Sequence, residues 1–71
     1  MTLEEARKAY DEQVEVRYDG LIFDRIRAMR VEKLDGVDVP SLELIRIRDD
    51  GMGRSEYIVR AKVEDVERFK R

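Results

Sequence analysis

Residues 14–34 have the sequence VEVRYDGLIFDRIRAMRVEKL, and this stretch decides the fold. Every second residue from 14 to 18 is apolar and the residues between them are charged, a pattern typical of a strand buried on one face. The dipeptide Asp19-Gly20 then predicts a hairpin turn, because both residues tolerate the positive φ angles that a two-residue turn requires. A second, longer strand is predicted over 21–34.

The apolar pattern of this longer strand changes phase near Ala28. Ile22 and Ile26 lie on the same side as Ala28 in an extended strand, whereas Met29 and Val31 lie on the other side. A bulge or a sharp bend near Ala28 would bring both halves onto one core. Small barrels need such bends to close, so the phase change favours a small barrel.

A short amphipathic helix is predicted before these strands, over residues 2–10. Thr2 is a suitable N-cap, and Glu5 follows three residues later, as a capping box requires. Apolar residues three and seven positions after Leu3 give this helix one apolar face. A helix of this length is marginal in isolation, so its apolar face is expected to pack on the strands.

Two more strands are predicted towards the C-terminus, over residues 41–48 and 55–62. Asp35-Gly36 predicts the turn before the first of them, and residues 38–40 are expected to keep that connection irregular. The acidic and glycine-rich residues 49–53 predict the loop between the two strands.

The strand over 41–48 also changes phase, between Leu44 and Ile45, which again indicates a bend. Three apolar residues spaced by three predict a closing helical turn: Val63, Val66 and Phe69. We therefore expect one α+β domain over residues 1–71, mostly antiparallel β, in the order α-β-β-β-β-α. The expected architecture is a small SH3-like, partly open barrel with an N-terminal helix and a C-terminal helical turn. A flat meander with a helix on one face is the alternative.

Composition narrows the range of functions. The chain has no histidine and no cysteine, so it lacks the commonest general base and the ligands of ordinary zinc sites. We expect no enzymatic activity, no metal and no cofactor. The formal net charge of -2 does not favour long-range attraction to nucleic acid or to anionic membranes. The absence of a membrane-length apolar run, of a signal-peptide pattern and of cysteine predicts a cytoplasmic protein.

Arginine is the most distinctive feature of the composition, with 11 arginines against four lysines. Six of the arginines fall on the second, third and fourth predicted strands: Arg25, Arg27, Arg30, Arg46, Arg48 and Arg60. Acids on the same strands, among them Asp24, Glu43 and Glu56, can pair with them across strands and neutralise the face. The alternatives are a protein-binding surface and a nucleic-acid-binding surface, the latter disfavoured by the scarcity of aromatic residues for base stacking.

Three other candidates have structural and functional interpretations. The loop Gly51-Met52-Gly53-Arg54 is followed by a strand rather than by the helix that a phosphate-binding loop requires, which predicts a tight turn. In the functional alternatives Arg54 is the cation beside a phosphate-binding loop, and Met52 is an exposed contact residue at the tip. Phe23 has the opposite phase to Ile22 and Ile26, so it is expected to be exposed or to lie at an interface. The aspartates of the two loops are either turn formers or a calcium site: Asp35, Asp38, Asp49 and Asp50.

The helix that begins TLEEA, the turn Tyr18-Asp19-Gly20 with its flanking strands, and the segment Leu42-Glu43-Leu44 resemble a group of small proteins. That group is uncharacterised and is carried by phages and mobile elements of Gram-positive bacteria. Residues 59–66 match its closing segment loosely. The shared motifs are turns and strands, so the resemblance implies a fold and a genomic context but no catalytic activity.

The resemblance implies a role that composition alone does not. Small non-catalytic phage proteins often bind and block host machinery, and an anti-CRISPR-type inhibitor of host defence is the sharpest version of that role. We therefore expect a protein-binding module with a host protein as its partner. The alternatives are a small-barrel nucleic-acid-binding protein that uses its arginine-rich strands, and a homo-oligomeric assembly protein that pairs through an exposed strand edge.

Overall fold

The computed structural model describes residues 1–69, which form one α-helix, six strands and a short 3₁₀ helix. Their bounds are α1 (Leu3–Glu12), β1 (Val16–Tyr18), β2 (Leu21–Phe23), β3 (Arg25–Leu34), β4 (Val37–Asp49), β5 (Arg54–Lys62), the 3₁₀ helix (Val63–Asp65) and β6 (Glu67–Arg68). The strands pair antiparallel in two three-stranded sheets, ordered β2-β1-β6 and β3-β4-β5. The predicted α+β class, mostly antiparallel β with an N-terminal helix, is confirmed.

Helix α1 begins with the predicted capping box. The Thr2 hydroxyl accepts a hydrogen bond from the Glu5 N–H at 3.1 Å, and the Glu5 carboxylate accepts one from the Thr2 N–H at 3.0 Å. The hydrogen bonds from Thr2 lower the pKa of the Glu5 carboxyl. Ala6 and Ala9 are fully buried on the helix face that packs against the sheets.

The predicted strand over 21–34 is broken at Asp24 into β2 and β3, which belong to different sheets. The Asp24 carboxylate accepts a hydrogen bond from the Ile47 N–H at 2.7 Å, and its own N–H donates to the Ile45 carbonyl at 2.9 Å. Asp24 therefore ties the corner between the two sheets to β4. The bulge predicted near Ala28 is confirmed by a register shift between Ile26 and Ala28.

Strand β4 begins earlier than the sequence indicated. Asp35-Gly36 is a two-residue turn with φ angles of 51° and 77°, and Val37 already pairs with β3. The prediction of an irregular connection over 38–40 is therefore wrong, because these residues are part of β4. The strand tolerates the proline at position 40. Since β5 pairs no further along β4 than Ser41, Pro40 lies where β4 has β3 as its one neighbour.

The phase change of β4 also has a different cause from the predicted bend. The strand pairs with β5 in an unbroken register from Ser41 to Asp49. Leu42 and Leu44 lie on the face that joins the hydrophobic core, which we call the core face, and Ile45 is buried on the opposite, outer face. The phase change in the sequence arises because this central strand has buried apolar residues on both of its faces.

The core lies between α1, the β2-β1-β6 sheet, which has the shorter strands and which we call the small sheet, and the core face of β3-β4-β5. Its largest fully buried side chains are Val16, Phe23, Ile26, Leu42, Leu44 and Val66. The closing helical turn predicted from Val63, Val66 and Phe69 is present only over Val63–Asp65, as the 3₁₀ helix, and Val66 is already extended. Residues 67–68 form β6, which pairs with β1 and which the sequence pattern did not indicate.

Candidate functional site

The arginines of the predicted strands do not share one surface. Cross-strand partners in an antiparallel pair have their side chains on the same face of the sheet. Arg60 is the partner of Glu43 and lies on the outer face, whereas Arg46 is the partner of Tyr57 and lies on the core face. The structure therefore divides the candidates into two groups on opposite faces of the sheet, one at the middle of β4 and one towards the β4–β5 loop.

The first group surrounds Glu43 on the outer face. Its carboxylate lies 2.6 Å from Nε of Arg30, 3.2 Å from Nη1 of Arg27 and 4.0 Å from Nη2 of Arg60. The Arg60 guanidinium also contacts the Glu32 carboxylate at 2.7 Å. We call these five residues the Glu43 cluster.

Burial explains why three cations converge on one acid. Glu43 is 7% exposed, and an ionised carboxylate removed from water needs compensating charges and hydrogen bonds. Each of the three guanidinium groups remains about half exposed, so the arginines lose less hydration than the acid does. The Glu43 cluster is thus a cross-paired charge network with a structural role, the arrangement expected for a charge ladder.

The second group lies where β4 and β5 extend beyond β3. Arg46 and Arg48 make no ion pair with any carboxylate of residues 1–69. Nε of Arg46 is buried and has no hydrogen-bond partner, while Arg48 donates to the Ile47 carbonyl at 3.0 Å. The guanidinium groups of Arg46 and Arg48 therefore have N–H donors that do not bond to any carboxylate of the described chain.

Tyr57 lies beside these two arginines and is 54% exposed. Its ring stacks on Phe23, with 6.2 Å between ring centroids and 20° between the planes, and Phe23 contacts Tyr18 at 6.5 Å. One face of Tyr57 is thus fixed by the core while the side chain remains accessible. Tyr57 was not among the predicted site residues, because its phase on the strand matches that of core residues. The core face simply continues past the part that α1 and the small sheet cover.

Phe23 is not the exposed residue that its phase predicted. It is 1% exposed and pairs with Val16 across β1 and β2. Because the chain breaks at Asp24, the alternation of β2 does not continue into β3. The position of Ile26 on β3 therefore does not predict which face of β2 carries Phe23. Phe23 acts instead as the buried support of Tyr57.

The loop between β4 and β5 is the tight turn that its glycines predicted. Asp49 accepts from the Gly51 N–H at 3.2 Å, and Asp50 accepts from the Met52 N–H at 3.0 Å, which holds the loop in shape. Met52 is 94% exposed at its tip. We call Arg46, Arg48, Met52 and Tyr57 the hairpin-end surface.

The remaining candidates do not join either group as a site. Arg25 makes no ion pair within the described chain, and Arg54 pairs with its neighbour Glu56 at 3.4 Å. The aspartates of the two loops lie at opposite ends of the 13-residue β4, about 35 Å apart. Within residues 1–69 there is no group of three or more acidic side chains that could hold a metal ion.

The comparisons with known proteins provide no relative. No family model matches the chain, and neither a curated protein nor a solved structure matches it. The part of the chain that the structure describes contains no helix that is long and apolar enough to span a membrane. Function has therefore to be inferred from the geometry of the Glu43 cluster and the hairpin-end surface.

Proposed function

We propose that this protein is a non-enzymatic binding module whose partner is another protein, and that the hairpin-end surface makes the contact. The observation that supports this proposal is an exposed tyrosine, Tyr57, supported by the buried ring of Phe23 and flanked by two arginines that have no carboxylate partner within residues 1–69. Tyrosine and arginine are enriched among the residues that dominate binding energy at protein interfaces. A ring already held in place loses little conformational freedom on binding.

The partner is expected to present carboxylates beside an apolar surface. Arg46 and Arg48 suit bidentate contacts with acidic side chains, and Met52 adds an adaptable apolar contact at the edge. Single-stranded nucleic acid is the weaker candidate, because it requires several stacking rings and a basic groove. Tyr57 is the one aromatic side chain classed as exposed in residues 1–69, and the aspartates of the adjacent loop oppose phosphate.

The biological version of this proposal is a phage or mobile-element accessory protein that binds and blocks a host protein. Its support is the resemblance of the turn and strand motifs, and inhibition of host defence in the anti-CRISPR manner is its narrowest form. The proposal also includes an SH3-like, partly open barrel. The β2–β3 corner at Asp24, shared between two sheets, supports that architecture.

A pull-down from bacterial lysate tests the proposal. Tagged wild-type chain, Arg48→Ala and the control Arg17→Ala are compared, each with and without nuclease, and bound material is identified by mass spectrometry. Arg17 is a matched control because it is an exposed strand arginine on the other sheet. We expect one stoichiometric protein that survives nuclease with the wild type and Arg17→Ala and is depleted with Arg48→Ala. Equal recovery with all three chains, or recovery of nucleic acid instead, would contradict the proposal.

A further inference from the structure

The two edges of the β3-β4-β5 sheet are protected to different degrees. Strand β3 has the bulge between Ile26 and Ala28, and α1 packs against it. Strand β5 pairs with β4 through all nine residues from Arg54 to Lys62 without a register shift, and no strand of residues 1–69 pairs with its other side. A regular, open edge of this length has unpaired backbone groups that can accept another strand.

The geometry of the edge restricts how two copies of β5 can pair with each other. Alternate residues of an edge strand direct their N–H and C=O groups outward. An antiparallel pair of identical strands must bring outward-facing residues opposite one another. The two-fold axis therefore passes through one residue of β5 and its own copy.

Charge then distinguishes the possible registers. An axis at Tyr57 places Arg54 opposite Arg60, an axis at Ile58 places Arg54 opposite Lys62, and an axis at Arg60 places that arginine opposite itself. Each of these registers has like charges directly opposite, which is destabilising. The axis at Ile58 also places Glu56 opposite Arg60, but the Arg60 guanidinium already contacts Glu32 and Glu43. An axis at Val59 instead places Glu56 opposite Lys62, twice by symmetry, and has no like-charge pair along β5.

We propose that β5 pairs with β5 of a second copy of this chain, antiparallel and centred on Val59, to form a continuous six-stranded sheet. This register pairs Glu56 with Lys62, two charged groups that have at most a weak ion pair within the described single chain. Lys62 makes no ion pair in the described chain, and Glu56 has one contact of 3.4 Å with Arg54. Arg60 keeps its place in the Glu43 cluster.

The same register covers apolar surface that is exposed in the single chain. Ile58 lies opposite the aliphatic part of Arg60 of the second copy, and Tyr57 lies opposite its Ala61. Arg46 and Arg48 lie on β4, away from the pairing edge. Tyr57 belongs both to the hairpin-end surface and to the pairing edge, but Arg48 belongs to the hairpin-end surface alone. Arg48→Ala is therefore expected to leave the dimer intact, which separates a failure of the dimer from a failure of the binding function proposed above.

Charge exchange tests both the dimer and its register. Molar mass is measured by light scattering or sedimentation over a range of protein concentrations, with wild type expected to approach twice the 8.4 kDa of one chain. Glu56→Lys and Lys62→Glu are each expected to weaken the dimer about tenfold or more, because each change converts two attractive pairs into two repulsive ones. The double variant, which restores opposite charges, is expected to recover the dimer.

Several outcomes would overturn this inference. A wild type that stays at 8.4 kDa at every concentration would exclude the dimer. Stronger association of Lys62→Glu would indicate the axis at Ile58, since that change removes the repulsion with Arg54. Loss of the dimer with the control Lys33→Glu, an equivalent change on the other edge, would exclude pairing through β5. Recovery in the double variant also shows that the single variants are folded.

A cysteine cross-link gives a second measurement of the register. The chain has no cysteine, so Val59→Cys introduces a single thiol that lies directly opposite its own copy. Directly opposed residues can approach disulfide distance, whereas diagonal residues are about 7–8 Å apart. Fast oxidation of Val59→Cys and slow oxidation of Ile58→Cys is expected, and the reverse order would contradict the axis at Val59.

Discussion

The middle of the β3-β4-β5 sheet and its hairpin end use the same residue type for different purposes. In the middle, on the outer face, Arg27, Arg30 and Arg60 converge on the buried carboxylate of Glu43. At the hairpin end, on the core face, Arg46 and Arg48 have no carboxylate partner in the described chain. The number of arginines on a strand therefore does not predict a binding surface. The position of one buried acid, Glu43, decides which arginines are already paired and which can contact a partner.

The number of neighbouring strands explains the difference. Glu43 lies on the central strand where β3 and β5 both flank it, so cations from either side reach its carboxylate. Pairing between β3 and β4 ends at Arg25 and Ile45, and beyond that point β5 is the one strand that pairs with β4 in the described chain. Arg46 and Arg48 lie in this two-stranded part, where no carboxylate of residues 1–69 reaches their guanidinium groups.

The largest expected effect comes from Phe23, which connects the core to the hairpin-end surface. Phe23→Ala is expected to lower the free energy of unfolding by about 3–5 kcal/mol, because it leaves a cavity at a fully buried aromatic position. Urea denaturation monitored by circular dichroism measures this loss. Phe23→Leu is the control, with a smaller loss expected because it refills part of the volume. A loss below about 1 kcal/mol for Phe23→Ala would contradict a core position.

The next largest effect tests the structural role of the Glu43 cluster. Glu43→Ala is expected to lower the free energy of unfolding by about 1–3 kcal/mol, since three arginines then lack their shared acceptor while remaining partly hydrated. Partner capture in the pull-down is expected to be retained. Glu32→Ala is the matched control, with a smaller loss expected because it removes one contact to Arg60. Unchanged stability in Glu43→Ala would show that the network is not structural.

Arg48→Ala tests the hairpin-end surface and is expected to give the reverse pattern. Its free energy of unfolding is expected to stay within about 0.5 kcal/mol of wild type, because Arg48 is exposed and makes no ion pair in residues 1–69. Affinity for the captured partner is expected to fall about tenfold, equivalent to about 1.4 kcal/mol. Calorimetry with the purified partner measures the affinity. A large loss of stability with unchanged affinity would assign Arg48 to the fold instead.

Local chemistry made much of the fold predictable from the sequence. The capping box of Thr2 and Glu5, the two aspartate–glycine turns and the bulge near Ala28 all depend on residues close together in the chain. Such features follow from backbone preferences, hydrogen bonds within a turn and the period of the strand. They need no knowledge of which strands become neighbours.

The parts that could not be predicted depend on contacts between distant residues. Asp24 ends β2 by bonding to Ile47, 23 residues away, and without that contact Phe23 is assigned to the wrong face. The sequence predicts Glu43 as a partner for arginine, but its burial depends on its place in the middle strand. The exposure of Tyr57 could not be predicted, because the length of sheet that α1 covers cannot be obtained from the period of β5.

The smallest expected effect is a pH dependence of stability that comes from the exposed ion pair between Arg17 and Glu67. Arg17 donates a hydrogen bond to Glu67 at 2.7 Å between β1 and β6, and this contact lowers the pKa of the Glu67 carboxyl below 4.5. A carboxyl with a lowered folded-state pKa stabilises the fold above its unfolded value and loses that contribution as pH falls through the folded value. The contribution is therefore expected at neutral pH and lost progressively below about pH 4.5. Because both side chains are more than half exposed, the effect is expected to be small and to shrink with added salt.

Arg17→Met isolates this contribution, since it keeps the aliphatic stem and removes the charge. The difference in unfolding free energy between wild type and Arg17→Met is expected to be largest near neutral pH and to disappear in acid, as measured by urea denaturation across pH. The equivalent difference for Arg7→Met, an exposed helix arginine without an ion pair in residues 1–69, is expected to be flat in the same window. A difference for Arg17→Met that persists unchanged below the Glu67 pKa would mean that Arg17 stabilises β1 through its stem rather than through its charge. The Arg17–Glu67 pair would then stabilise the fold by apolar contact, whereas the Glu43 cluster stabilises it by charge pairing.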